Sequence, residues 1–76
     1  MSTREIALTT TPQLVASGAA YLQSRDFDFC FAFNSAQPTL TSVFHLDKKV
    51  YTDGGLGPIW AWKSTDSTVT LTVSEK

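Results

Sequence analysis

The sequence has few of the residue types that carry catalysis or cross-linking. It contains one Cys and one His, and charged residues make up 17% of its 76 residues, whereas about 25% is average for globular chains. One Cys forms no internal disulfide, and one Cys with one His supplies too few ligands for a structural zinc site. A single His also leaves little for acid–base chemistry. We therefore expect a protein that is not an enzyme and has no cofactor or metal.

The sequence also lacks a basic excess and a long apolar run. The formal net charge is −1, so there is no surplus of Lys and Arg to neutralise nucleic-acid phosphates. No apolar stretch approaches the ~20 residues of a membrane helix. Residues 1–5 carry charges of both signs, and no apolar segment typical of a signal peptide follows them. We expect neither nucleic acid nor a membrane as partner.

The chain is short, and this raises the question of what stabilises it. We expect residues 1–76 to form one β-domain, since there is no room for two cores. A domain of ~60 residues buries only ~60% of its unfolded surface. Small domains usually add disulfides, metals or oligomerisation. Because the first two are disfavoured here, the sequence predicts a homo-oligomer.

Hydroxyl and aromatic residues are plentiful, and they alternate with the period of a β-strand. Thr and Ser account for 19 residues, and there are five Phe, two Trp and two Tyr. Residues 26–34 place Phe at every second position, and residues 59–63 do the same with Trp60 and Trp62. Residues 68–74 alternate Thr with Val or Leu. Each pattern predicts a strand, and the Thr residues are expected on outward faces.

Weaker patterns predict the remaining strands. They cover residues 6–9, 13–17, 19–23 and 40–46, and the last of these forms a hairpin with residues 50–51 through the charged tip 47–49. A helix over residues 12–23 is the rival to two of these strands, with Thr11 as cap and Pro12 at its first position. Gly18 argues against that helix. Seven or eight short strands favour an all-β antiparallel sandwich or a jelly-roll-like barrel.

Several residues resemble parts of functional sites but lack the necessary context. The glycine loop 53–57 is followed by Pro58 and a strand, whereas a phosphate loop precedes a helix, so we expect positive φ angles there instead. The Asp residues at turns are expected to bond their own backbone. His45 is expected to be partly exposed or to lie at a subunit contact. Cys30 is expected to be an inert packed thiol.

Trp60, Trp62 and Tyr51 are the candidate interface residues, because binding hot spots favour Trp and Tyr. A platform on which the two Trp rings stack against a sugar is the alternative.

The end segments 1–5 and 74–76 are expected to be exposed and able to reach neighbouring subunits.

Three stretches resemble strands of small bacteriophage virion proteins, which are accessory β-domains on capsids or tails. They are residues 6–9 with 13–18, residues 57–64 and residues 68–75. The resemblance implies a structural role in the virion, after synthesis in the host bacterial cytoplasm. It implies a decoration or cement protein that contacts the major capsid protein, or a tail accessory, in either case as a homo-oligomer such as a trimer.

Two other function classes remain open from the sequence. One is a carbohydrate-binding module that uses the Trp strand for attachment to a host surface. The other is a small phage protein that inhibits a host enzyme. The resemblance to small virion proteins matches no catalytic or ligand residue of this sequence.

Overall fold

The computed structural model describes residues 2–25, 27–37 and 43–75, and they form eight strands. The strands are β1 Ser2–Ala7, β2 Gln13–Ala16, β3 Ala20–Ser24, β4 Phe29–Phe33, β5 His45–Asp47, β6 Lys49–Thr52, β7 Ile59–Trp62 and β8 Thr70–Glu75. The rival helix over residues 12–23 is wrong, since β2 and β3 lie there. Among the described residues there is no helix that could span a bilayer.

The strands form two antiparallel sheets with nested pairing. Sheet 1 has the order β1-β8-β3-β6, and sheet 2 has the order β2-β7-β4-β5. The first strand pairs with the eighth, the second with the seventh, the third with the sixth and the fourth with the fifth. Such pairing is a long hairpin rolled over on itself, which is the eight-stranded jelly roll. The predicted all-β sandwich with a jelly-roll-like topology is therefore confirmed.

The core lies between the sheets and contains the alternating residues that the sequence predicts. Val69, Leu71 and Val73 are at most 1% exposed, and Ile59 and Ala61 of β7 are completely buried. The alternation is thus confirmed for both strands. The boundaries of β2 and β7 differ from the predicted ones by one residue at one end, and those of β3 and β6 differ by one residue at both ends.

The phenylalanine strand is shorter than predicted. Phe29 and Phe31 are buried, and Phe33 packs against the core from a half-buried position. Phe27 lies outside β4 and is 42% exposed, while Asp26 falls outside the described residues. The prediction that all four rings share one strand face is wrong for Phe27. The physical reason is that the registers of both neighbours of β4 stop before it, with Asp47 of β5 opposite Phe29.

The predicted hairpin with a charged tip is also wrong. β5 pairs with β4 in sheet 2, whereas β6 pairs with β3 in sheet 1. Lys48 alone connects them: its amide donates to the Asp47 carboxylate at 2.7 Å, and its carbonyl accepts from the Ser24 amide at 2.7 Å. These bonds turn the chain from one sheet into the other. Of the strand predicted over residues 40–46, residues 40–42 lie outside the described residues.

The end segments are paired with each other rather than free. Ser2 is opposite Glu75 in the register of β1 and β8. Residues 2–5 are exposed as predicted, whereas residues 74 and 75 are half-buried, and their contact with neighbouring subunits stays a prediction. Arg4 forms an ion pair with Glu75 at 2.5 Å and donates to the carbonyl of Val15 at 2.6 Å. Because Val15 lies in sheet 2, Arg4 ties the two sheets together at the edge where the chain ends meet.

Candidate interaction surface

The two outer faces of the sandwich differ in chemistry. The outer face of sheet 1, here the hydroxyl face, is polar over almost its whole area. Its outward positions, read from the strand registers, are Thr3, Glu5, Ala7, Tyr21, Gln23, Lys49, Tyr51, Thr70, Thr72 and Ser74. One polar face is usual for an antiparallel sheet that covers a core with its other side. The prediction that hydroxyls lie outward is met on this face.

The outer face of sheet 2, here the apolar face, carries neither charge nor hydroxyl at its registered positions. Cross-strand pairs place six apolar side chains there: Leu14, Cys30, Ala32, Leu46, Trp60 and Trp62. The Phe44 ring joins them, edge-on to Trp62 with ring centroids 5.5 Å apart. The two central strands of sheet 2, β4 and β7, are therefore apolar on both sides, a pattern typical of strands that are covered on both sides.

Part of the apolar face is open to solvent. Leu14 is 53% exposed, Leu46 is 54% exposed and Phe44 is 43% exposed. Leu14 and Leu46 lie on β2 and β5, the two edge strands of sheet 2, and thus border the face on opposite sides. The exposed apolar side chains thus lie towards the borders of the face, while Cys30, Ala32 and Trp62 between them are at most 4% exposed. Exposed apolar surface beyond scattered single residues is typical of a contact surface.

The two predicted tryptophans share this face but differ in accessibility. Trp62 is only 3% exposed and forms a small second cluster with Cys30 and Ala32. Trp60 packs against that cluster from a half-buried position. Its indole Nε1 donates to the carbonyl of Asn34 at 3.0 Å, which fixes the ring next to the end of β4. Trp60 is thus the tryptophan that reaches solvent, and Trp62 supports the face from beneath.

Tyr51 lies on the opposite side of the molecule. It is 67% exposed on the hydroxyl face, directly across from Tyr21 in the register of β3 and β6. The structure therefore brings Trp60 and Trp62 together but does not bring Tyr51 to them. No single flat contact includes all three residues.

Cys30 is completely buried on the apolar face, so its predicted character as a packed thiol is confirmed. Burial raises the pKa of the Cys30 thiol, and a hydrogen bond with the Ser64 side chain opposes part of that rise. A raised pKa disfavours the thiolate, which is the reactive form. The position supports packing rather than nucleophilic chemistry.

The prediction for the glycine loop is confirmed at Gly54 and Gly57 but not at Gly55, and the prediction for the turn aspartates is confirmed at Asp47 and Asp53. Gly54 and Gly57 have φ angles of +92° and +89°. The carboxylate of Asp53 accepts from the Gly55 amide at 2.8 Å, as the Asp47 carboxylate does from Lys48. His45 is exposed, and its ring lies 5.3 Å from that of Phe31. In the described residues, no three His, Cys, Asp or Glu gather as metal ligands.

A polar groove of about 350 Å³ lies at the edge of the hydroxyl face. Its lining includes Glu5, Thr70 and Thr72 of sheet 1 and Arg25 and Phe27 of the β3–β4 connection. Its lining combines one acid, one base and one aromatic ring, so it has no dominant charge. It lies on the other sheet from the tryptophans.

Sequence reasoning missed Leu14, Leu46 and Phe44 as surface residues. The signal for Leu46 was present, because His45 separates it from Phe44 at strand spacing and thus puts both on one side. A stronger signal lay in β4 and β7, which are almost continuously apolar, as buried strands are.

No family model, curated protein or solved structure matches the chain.

Proposed function

We propose that this protein is a non-enzymatic structural protein of a bacteriophage particle, a decoration or cement protein that stabilises the capsid through protein–protein contacts. It acts as a homo-oligomer and contacts the major capsid protein, or a tail protein if it sits on the tail. The observation that carries this proposal is the apolar face, with Leu14, Phe44 and Leu46 each more than 40% exposed. Burying apolar surface stabilises an interface by ~25 cal/mol per Å² before the costs of association.

The fold and the sequence add independent support. Jelly rolls occur in viral capsid domains and in lectins, although a fold alone does not define a function. The three stretches that resemble small virion proteins include all of β7 and β8, which are inner strands of their sheets. A structural role also agrees with the scarcity of catalytic residue types.

The carbohydrate-binding alternative has less support. The predicted sugar platform uses the faces of both tryptophan rings, but Trp62 is 3% exposed and Trp60 is half-buried. A glycan array with Trp60→Ala as control addresses this alternative. Binding to a defined glycan that Trp60→Ala abolishes would favour it over the structural role.

The decisive experiment is quantitative mass spectrometry of purified virions from the phage that encodes this chain. We expect many copies per particle, in proportion to capsid or tail subunits. Particles that lack the protein should release their DNA at a lower temperature, and adding back purified protein should restore the release temperature. Absence from virions, with the protein found only in infected cells, would contradict the proposal and favour a host-enzyme inhibitor.

A further inference from the structure

We propose that the polar groove at the edge of the hydroxyl face binds a small neutral saccharide. This inference goes beyond the proposed function, because the groove lies on sheet 1, whereas the proposed capsid contact uses the outer face of sheet 2. It also differs from the tryptophan platform in its residues and in its side of the molecule.

The groove has the size of a site for a small molecule. Its volume is about 350 Å³, and small-molecule sites usually have volumes of about 300–1,000 Å³. This value is at the lower end of the range, so the ligand is small.

An acid and a base line the groove from opposite sides of β8. Glu5 lies on β1 and Arg25 directly follows β3, and β8 separates these strands in sheet 1. Their backbones are therefore about 10 Å apart, since neighbouring strands are about 4.8 Å apart. Among the described residues, the one ion pair joins Arg4 to Glu75, so Glu5 and Arg25 do not bond each other. They leave room for a ligand between them, over the threonines of β8.

The opposite charges of Glu5 and Arg25 select a ligand without net charge. An anion attracted by Arg25 is repelled by Glu5, and a cation meets the reverse. A sugar carries neighbouring hydroxyl groups that both donate and accept hydrogen bonds. The two oxygens of the Glu5 carboxylate can accept from such a pair, and the planar guanidinium of Arg25 can donate to another pair.

The remaining polar lining favours a sugar over a zwitterion such as a free amino acid. Four of the described lining residues carry a hydroxyl group: Ser24, Thr68, Thr70 and Thr72. A hydroxyl group donates one hydrogen bond and accepts others, so it can match either role of a sugar hydroxyl. A zwitterion has its hydrogen-bonding groups at two charged ends and would leave most of these hydroxyls to water.

Phe27 provides an aromatic ring that the core does not use. It is 42% exposed and precedes the paired register of β4, which begins at Phe29. The face of an aromatic ring is negatively polarised, and one side of a sugar ring presents C–H groups with the opposite polarisation. The groove thus combines a ring for the C–H side of a sugar with polar groups for its hydroxyl rim.

Titration of the ¹⁵N-labelled full-length protein, followed by NMR, tests the site. The probes are glucose, galactose, mannose and N-acetylglucosamine, and the zwitterion glycine is the comparison ligand. We expect at least one sugar to shift the amide signals of Arg25, Phe27 and residues 68–72, with a dissociation constant in the millimolar range. Added salt should leave this constant unchanged, because screening acts on charged ligands only.

Two substitutions in the groove and one outside it identify the contacts. Phe27→Ala should raise the dissociation constant by about 10-fold, and Arg25→Lys should also raise it, because Lys keeps the charge but not the planar fork. Tyr51→Ala is the matched control, since it removes an exposed ring from the same face outside the groove, and it should bind as the wild type does. The amide spectrum of each variant verifies its fold.

Four results would overturn the proposal. They are the absence of shifts with every sugar, shifts around Trp60 instead of the groove, binding of glycine but of no sugar, and equal weakening by Phe27→Ala and Tyr51→Ala. None of these results bears on the abundance of the protein in virions, so the saccharide site and the structural role are tested separately.

Discussion

Cys30 shows how the environment of one residue on the apolar face controls its chemistry. The thiol is completely buried between the Trp strand and β5. Burial raises the pKa of this thiol above its ordinary value of about 8.5. The unfolded chain therefore loses the thiol proton at a lower pH than the folded chain does.

This raised pKa predicts a loss of stability in alkaline solution. Between the two pKa values the folded state binds more protons than the unfolded state, so the free energy of unfolding decreases as pH rises. The contribution is fully present below about pH 8.5 and is lost as pH rises through the folded pKa. Urea denaturation at pH 7 to 10 measures it. Cys30→Ala is the control, and its curve should be flatter over this range. Equal slopes for both proteins would contradict the prediction.

At the scale of single elements, the loop between β6 and β7 depends on glycine for two separate reasons. Gly54 and Gly57 both adopt positive φ angles, which cost a residue with a Cβ ~1–2 kcal/mol. At Gly54 a Cβ would in addition lie 3.1 Å from the backbone of Gly18, whereas at Gly57 it would meet open space. The lack of a side chain at Gly54 therefore lets this loop pack closely against the connection between β2 and β3.

A series of three alanine substitutions should separate these effects. Gly18→Ala should change the free energy of unfolding by less than about 0.5 kcal/mol, because its Cβ meets nothing. Gly57→Ala should lose about 1 kcal/mol through its backbone alone. Gly54→Ala should lower the free energy of unfolding by more than Gly57→Ala does, because the Gly18 backbone must also move. Chemical denaturation gives all three values, and a Gly57→Ala variant less stable than Gly54→Ala would argue against the close approach.

The elements also show where sequence reasoning succeeds and where it stops. The face assignments in β7 and β8 are predictable because each strand has one completely buried side, and alternation then fixes every side chain. The end of β4 is not predictable, since Phe27 continues the alternation after the paired register has ended. The connection at Lys48 is not predictable either, because adjacent strands with a short link usually form a hairpin. Here β5 pairs with β4 and β6 pairs with β3, so the two adjacent strands belong to different sheets.

At the scale of the whole molecule, the nested topology brings the ends of the chain together. Ser2 pairs with Glu75, and Arg4 binds both Glu75 and the other sheet at this edge. Neighbouring ends at the surface favour circular permutation. We therefore expect a permutant with a short Gly/Ser linker across the original ends, opened between Thr65 and Asp66, to fold.

Thermal unfolding followed by circular dichroism tests this expectation. The new ends lie in the connection before β8, where Asp66 is exposed, so the permutant should keep its β-sheet spectrum and a cooperative transition. A permutant opened between Phe31 and Ala32 is the control, and it should not fold because it cuts a strand paired on both sides. The prediction is wrong if both permutants behave alike.

The apolar face itself could be predicted only in part at this scale. The continuous apolar runs in β4 and β7 indicate that something covers both sides of sheet 2. The six residues of the face come from four strands between residues 14 and 62, however, and only the register places them side by side. Tyr51 could not be separated from the tryptophans by sequence, because the pattern does not specify which sheet a short strand joins.

The contrast between the two outer faces has a consequence for wetting. The hydroxyl face is a surface on which water spreads, whereas water would withdraw from the apolar face. A single copy is thus a two-sided particle about 15 Å thick, with the asymmetry of a surfactant, and it would gather at an oil–water boundary with Trp60 and Leu46 toward the oil.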